Sequence, residues 1–107
     1  MTSQTDVLCV FGTRPEAIKI APVVGALRSS GLATRVLATG QHPALGEVLR
    51  DVETLGIASD GSIPHFLARA HTALRKALSE AKPRCVLVQG DTMSALAGAQ
   101  IALELGM

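Results

Sequence analysis

The chain has 107 residues, of which 48% are hydrophobic and 18% charged, with a formal net charge of +1. That length holds one domain at most, the apolar content excludes a disordered chain, and the near-neutral charge gives no basis for a nucleic-acid or membrane partner. Aromatic residues are 2% of the chain and include no Trp or Tyr, so stacking platforms for single-stranded nucleic acid are missing.

Residues 1–5 read as a frayed tail. Met1 to Asp6 lack the basic and apolar regions of a secretory leader, and no run reaches the roughly 18 apolar residues of a membrane span. A cytoplasmic protein is the expectation. Residues 7–11 form a continuous apolar run, the pattern of a strand buried on both faces. A helix follows over about 15–29, with Ile18, Ala21, Val24 and Leu27 on its apolar face and Gly31 at its end. Pro22 predicts a kink or restart inside it.

A second strand is predicted over 34–39, a second helix over about 43–52 and a short third strand within 53–57. Residues 56–62 are polar and Gly-rich, and read as a loop. Apolar residues at spacings of three and four predict the longest helix over 63–81, stopped by Lys82-Pro83. Residues 85–89 predict a further strand, and 94–105 an Ala-rich helix. Cys9 and Cys85 fall in apolar strand runs, and both are expected as buried reduced thiols without metal-site spacing.

Alternating strands and helices predict an α/β domain with a parallel, Rossmann-like sheet and helices on both faces. If the first and fourth strands are neighbours, Gly12 and Gly90 stand at a topological switch point, where open α/β sheets bind ligands. Arg14, Gln41, His42 and Asp91 all follow strand ends and gather on that rim.

The run Gly12-Thr13-Arg14-Pro15-Glu16-Ala17-Ile18-Lys19 carries the strongest chemical signal. Gly12 permits a tight turn, Thr13 is an N-cap type, Pro15 suits the first helical position and Glu16 complements the helix dipole. The free N–H groups of the helix start, flanked by Arg14 and Lys19, fit an anionic ligand. A plain capped turn with solvated basic residues fits the same run. The spacing is neither that of a dinucleotide fingerprint nor of a P-loop. Asp91 is either an acid–base or sugar-binding group or the cap of the helix behind it. His65 and His71 are six apart, the wrong spacing for paired metal ligands on one helix face, and Ser94 has no triad pattern around it.

That run, with Ala21-Pro22 behind it, resembles the opening of the non-hydrolysing UDP-N-acetylglucosamine 2-epimerases. Thr39-Gly40-Gln41-His42 and Val86-Leu87-Val88-Gln89-Gly90-Asp91-Thr92 extend the resemblance in the same order. It covers nearly the whole chain, but only the first part of a two-domain fold similar to that of glycosyltransferase-B enzymes. The resemblance implies an isomerase that inverts C2 of the sugar in UDP-N-acetylglucosamine by eliminating UDP and adding it back. It implies no metal or nicotinamide cofactor, and a homodimer. It places Arg14 near the diphosphate, Lys19 and Asp91 in the catalytic set, and Gln41 and His42 in a loop linked to a second, regulatory substrate molecule.

Three departures accompany it. Pro43-Ala44 stand where the family often has a basic residue and then Glu or Gln, which argues against that regulation. The segment between Leu55 and Ile63 is short. The next strand with its acidic motif and the second domain find no counterpart, so the 107 residues read as a truncated N-terminal domain, inactive alone. A small anion-binding or sugar-nucleotide-binding module, a docking partner and a hydrolysing sister enzyme are the alternatives.

Overall fold

The computed structural model describes residues 4–40, 48–58 and 60–107. The elements are β1 (Val7–Phe11), α1 (Arg14–Ser29), β2 (Thr34–Ala38), β3 (Val52–Thr54), α2 (Ile63–Ala81), β4 (Cys85–Val88) and α3 (Met93–Glu104). The strands form one parallel sheet in the order β3-β2-β1-β4. The apolar run that predicted a doubly covered strand is β1, and all five of its residues are buried.

Register explains how alternate residues of β1 build two cores. Val7 stands beside Thr34 and Cys85, and Cys9 beside Val36 and Leu87. Val7, Cys9 and Phe11 point to one face, where Ala17, Ile20 and Val24 of α1 cover them. Leu8 and Val10 point to the other, against Ala70, Leu74 and Leu78 of α2 and Ala97 and Ile101 of α3. Helices on both faces of a parallel sheet are the expected arrangement.

The helix ends follow local chemistry. Thr13 is extended, and its hydroxyl accepts from the Glu16 N–H while the Glu16 side chain accepts from the Thr13 N–H, a capping box. At the other end the Gly31 N–H donates to the Arg28 carbonyl and the Leu32 N–H to the Leu27 carbonyl. This Schellman arrangement needs the left-handed φ of 84° that Gly31 supplies.

Several expectations are corrected. Helix α1 starts at Arg14, which puts Pro15 second rather than first. It runs unbroken through Pro22, which lies on the exposed side where water can take the bond that proline omits. Residues 43–47 of the predicted second helix lie outside the described residues. Residues 48–51 are turn and bend, with Asp51 at a φ of 58°, and Val52 already belongs to β3. Cys9 is buried but Cys85 is exposed. Cys85 shares a face with Cys9 on the outer strand β4, whereas α1 packs over β1 and β2 and leaves it uncovered.

Candidate functional site

Because the strands are parallel, their carboxyl ends lie on one rim. Gly12 leaves β1, Thr39 and Gly40 leave β2, and Gln89 and Gly90 leave β4. Strand β1 lies between β2 and β4, so its end is the switch point that the chain order predicted. Each helix begins at or beside this rim. Thr13, Ser62 and Thr92 are the N-caps of α1, α2 and α3, and each side chain accepts from a backbone N–H three residues on.

A cleft of about 360 Å³ opens there. Thr13, Ser62 and Thr92 all line it, so the positive ends of three helix dipoles border one space. Ile57, Ile63, Phe66 and Met93 supply apolar wall. Thr39 and Ser94 also line it; both are buried, and their hydroxyls are hydrogen-bonded at 2.7 Å across 55 residues of sequence. This pair explains Gly12: a Cβ there would lie 2.7 Å from Ser94 Cβ.

Glu16 is a third buried polar residue of the rim, 4% exposed. Its Oε1 accepts from the backbone N–H of Gly12 at 2.9 Å and of Thr13 at 3.1 Å. Its Oε2 accepts from the Thr92 hydroxyl at 2.8 Å. A Cβ on Gly90 would stand 2.6 Å from that same oxygen, and Gly90 has a φ of 91°.

The sequence-predicted residues distribute unevenly over this geometry. Arg14, Lys19 and Asp91 are exposed and none lines the cleft. Arg14 is the first residue of α1, at the rim; Lys19, five residues on, lies about 140° around the helix, so the two do not share a face. Asp91 directly precedes Thr92 on the rim, and the cap role open to it is taken by Thr92. Gln41 and His42 lie outside the described residues, immediately after the cleft-lining Gly40. Sequence reasoning missed the Thr39–Ser94 pair and gave Glu16 only a dipole role. The spacing Thr13-x-x-Glu16 is a capping-box signature and a readable sign of more.

Asp60 directly precedes the cleft-lining Gly61. Its carboxyl is held below the ordinary aspartate range, chiefly by the Ser62 backbone N–H and then by His65. On the far side of the sheet, burial pushes the Cys9 thiol up to about 11, which keeps it protonated and unreactive at neutral pH. Among the described residues no three His, Cys, Asp or Glu side chains are grouped to hold a metal ion. No helix among them is long and apolar enough to cross a membrane. Hydroxyls, helix starts and an apolar wall suit a polar ligand with anionic and sugar-like parts.

Comparison with known proteins gives the same direction. The family described as UDP-N-acetylglucosamine 2-epimerase matches residues 26–107. The UDP-N-acetylglucosamine 2-epimerase of Yersinia pestis is 43% identical over 98 residues, 84% of this chain and 26% of the relative. That of Neisseria meningitidis is 36% identical over 104 residues, 90% of this chain and 28% of the relative. The chain thus spans about a quarter of the length of these relatives. Among solved structures, the N. meningitidis enzyme bound to UDP-GlcNAc superposes with a TM-score of 0.85 at 35% identity, covering 94% of this chain and 30% of that one. The Methanocaldococcus jannaschii enzyme in complex with UDP-GlcNAc and UDP gives 0.83 at 30% identity, covering 94% and 30%.

Proposed function

We propose, because the chain belongs to the UDP-N-acetylglucosamine 2-epimerase family, that it supplies one wall of a cleft where UDP-N-acetylglucosamine and UDP-N-acetylmannosamine are interconverted. The observation that carries this is the family match over residues 26–107, together with a rim that gathers Gly12, Thr39 and Gly90 at one switch point. The relatives solved with UDP-GlcNAc support the same ligand.

Elimination removes the C2 proton of the sugar and breaks the C1–O bond to UDP. Addition then returns UDP to C1 and a proton to the opposite face of C2. Negative charge builds on the departing phosphate oxygen. In this reading Arg14 and the start of α1 stabilise it, since the guanidinium fork suits phosphate and the dipole adds positive potential. Asp91 serves as a proton-transfer group or holds a sugar hydroxyl, and Lys19 belongs to the same catalytic set. Gln41 and His42 contribute to substrate binding. The working enzyme is a cytoplasmic homodimer that needs no metal or nicotinamide and feeds cell-envelope polysaccharide synthesis.

The test is conversion of UDP-N-acetylglucosamine by the full-length polypeptide that carries these residues, followed by proton NMR of the two sugar nucleotides. Arg14→Ala is expected to lower kcat/KM about 100-fold or more while thermal stability shifts by no more than about 0.5 kcal/mol, as for an exposed side chain. Absence of conversion by the wild type, or equal proportional losses of rate and stability in the variant, overturns the reading.

A further inference from the structure

Glu16 makes more hydrogen bonds than a helix start requires. A capping box is complete once one oxygen of the N3 side chain takes the N-cap N–H. In this chain Oε1 does that and also takes the Gly12 N–H, while Oε2 reaches out of the element to the Thr92 hydroxyl at 2.8 Å, 76 residues away in sequence. Thr92 Oγ1 in turn accepts from the Ala95 N–H at 3.4 Å and caps α3. One continuous chain of hydrogen bonds therefore runs from the cap of α1 through a single buried carboxyl group to the cap of α3. Gly90 is shaped to this carboxyl, since any Cβ would stand 2.6 Å from Oε2. The two turns so joined are the ones that carry Arg14, two residues before Glu16, and Asp91, one residue before Thr92.

We propose that Glu16 is a positioning residue that fixes the β1–α1 turn against the β4–α3 turn, and so sets the spacing of Arg14 and Asp91 across the rim. The inference rests on the epimerase reading for its catalytic consequence. A rigid spacing matters because misplacing reacting groups by about 1 Å costs on the order of 100-fold in rate. Neither Arg14 nor Asp91 has a side-chain hydrogen bond to another described residue, so their place depends on the backbone that Glu16 clamps.

The experiment uses the full-length polypeptide and four variants: Glu16→Ala, Glu16→Gln, Thr92→Val and the double Glu16→Ala/Thr92→Val. Glu16→Ala and Thr92→Val should each lower kcat about tenfold or more with KM changing less than about threefold. The double variant should be no slower than the slower single, because both cut one linkage. Glu16→Gln keeps an acceptor for Gly12 and Thr13 and offers its amide to Thr92, so it should recover most of what Glu16→Ala loses. Leu74→Ala, which empties a buried position of α2 far from the rim, should lose thermal stability without this fall in kcat. Multiplying losses in the double variant, no recovery in Glu16→Gln, or a kcat loss equal to that of Leu74→Ala overturns the proposal. A second readout separates it from the epimerase reading. Amide hydrogen exchange at Gly12 and Thr13 should quicken about fivefold or more in Thr92→Val if the clamp operates. Unchanged exchange sinks the clamp, whereas a wild type without turnover but with quickened exchange in the variant sinks only the substrate reading.

Discussion

The sheet is held in two different ways at its centre and at its β3 edge. At the centre, β1 ends in a turn where Gly12 has no space for a Cβ, and Gly90, after the outer strand β4, is equally crowded beside it; buried Thr39 and Ser94 bond to each other, and buried Glu16 accepts from Gly12, Thr13 and Thr92. At the edge, β3 has three residues, and Arg35 grips Glu53 through two bonds of 2.8 and 2.6 Å with both side chains close to half exposed. The centre has fewer formal charges and the tighter packing. Close packing leaves no slack for error, while water screens the exposed pair and returns most of its energy.

That contrast is broken most severely by adding one carbon at the centre. Gly12→Ala is expected to destabilise by about 3 kcal/mol in urea unfolding, because Ser94 Cβ and the hydroxyl bonded to Thr39 must both move. Gly90→Ala should follow closely, with a left-handed φ and the Glu16 carboxyl in its way. A loss under about 0.5 kcal/mol at both positions would show that the centre yields as easily as the surface.

Thr39→Val tests the same region more gently. It keeps the shape but leaves the buried Ser94 hydroxyl without its partner, for a cost of about 1–2 kcal/mol.

Glu53→Gln at the edge should cost about 0.5 kcal/mol or less. The Arg35 fork holds the Glu53 carboxyl below its usual range. The pair's contribution is therefore present above the ordinary glutamate pKa and is lost as pH falls through the lowered value. The variant should differ from wild type at neutral pH and converge with it in acid. A difference that persists at the lowest pH reached would assign the effect to packing rather than charge.

What was legible in the sequence follows the same division. The runs 7–11 and 85–89, the α2 periodicity and the Thr13 and Gly31 caps are local signals, and the chain obeys them, with β4 ending one residue early at Val88. Strand β3 was visible only weakly because Glu53 and Thr54 carry no apolar pattern, and pairing with β2 decides its conformation. The turn at 48–51 defeated a helical reading because Leu49 packs into the α1 core from a non-helical backbone. Cys85 looked buried because its neighbours are apolar, yet burial depends on which helix crosses the strand. In the site, the strand-end logic located the rim, whereas Thr39–Ser94 and Glu16–Thr92 join residues 55 and 76 positions apart, which no local pattern encodes.

The place of β1 has a consequence for how the molecule assembles. It precedes the other three strands in the chain and is an inner strand of the sheet, but its pairing of Val7 with Cys85 waits until 78 further residues exist. Its partner β2 arrives early, so β1, α1 and β2 can collapse together while one side of β1 stays unpaired. Closing so long a loop is slow relative to local steps, and an open apolar strand is prone to wrong partners meanwhile. The rate-limiting event in folding is expected to be the arrival of β4, and substitutions at the β1–β4 seam should slow refolding more than equally destabilising ones between β1 and β2.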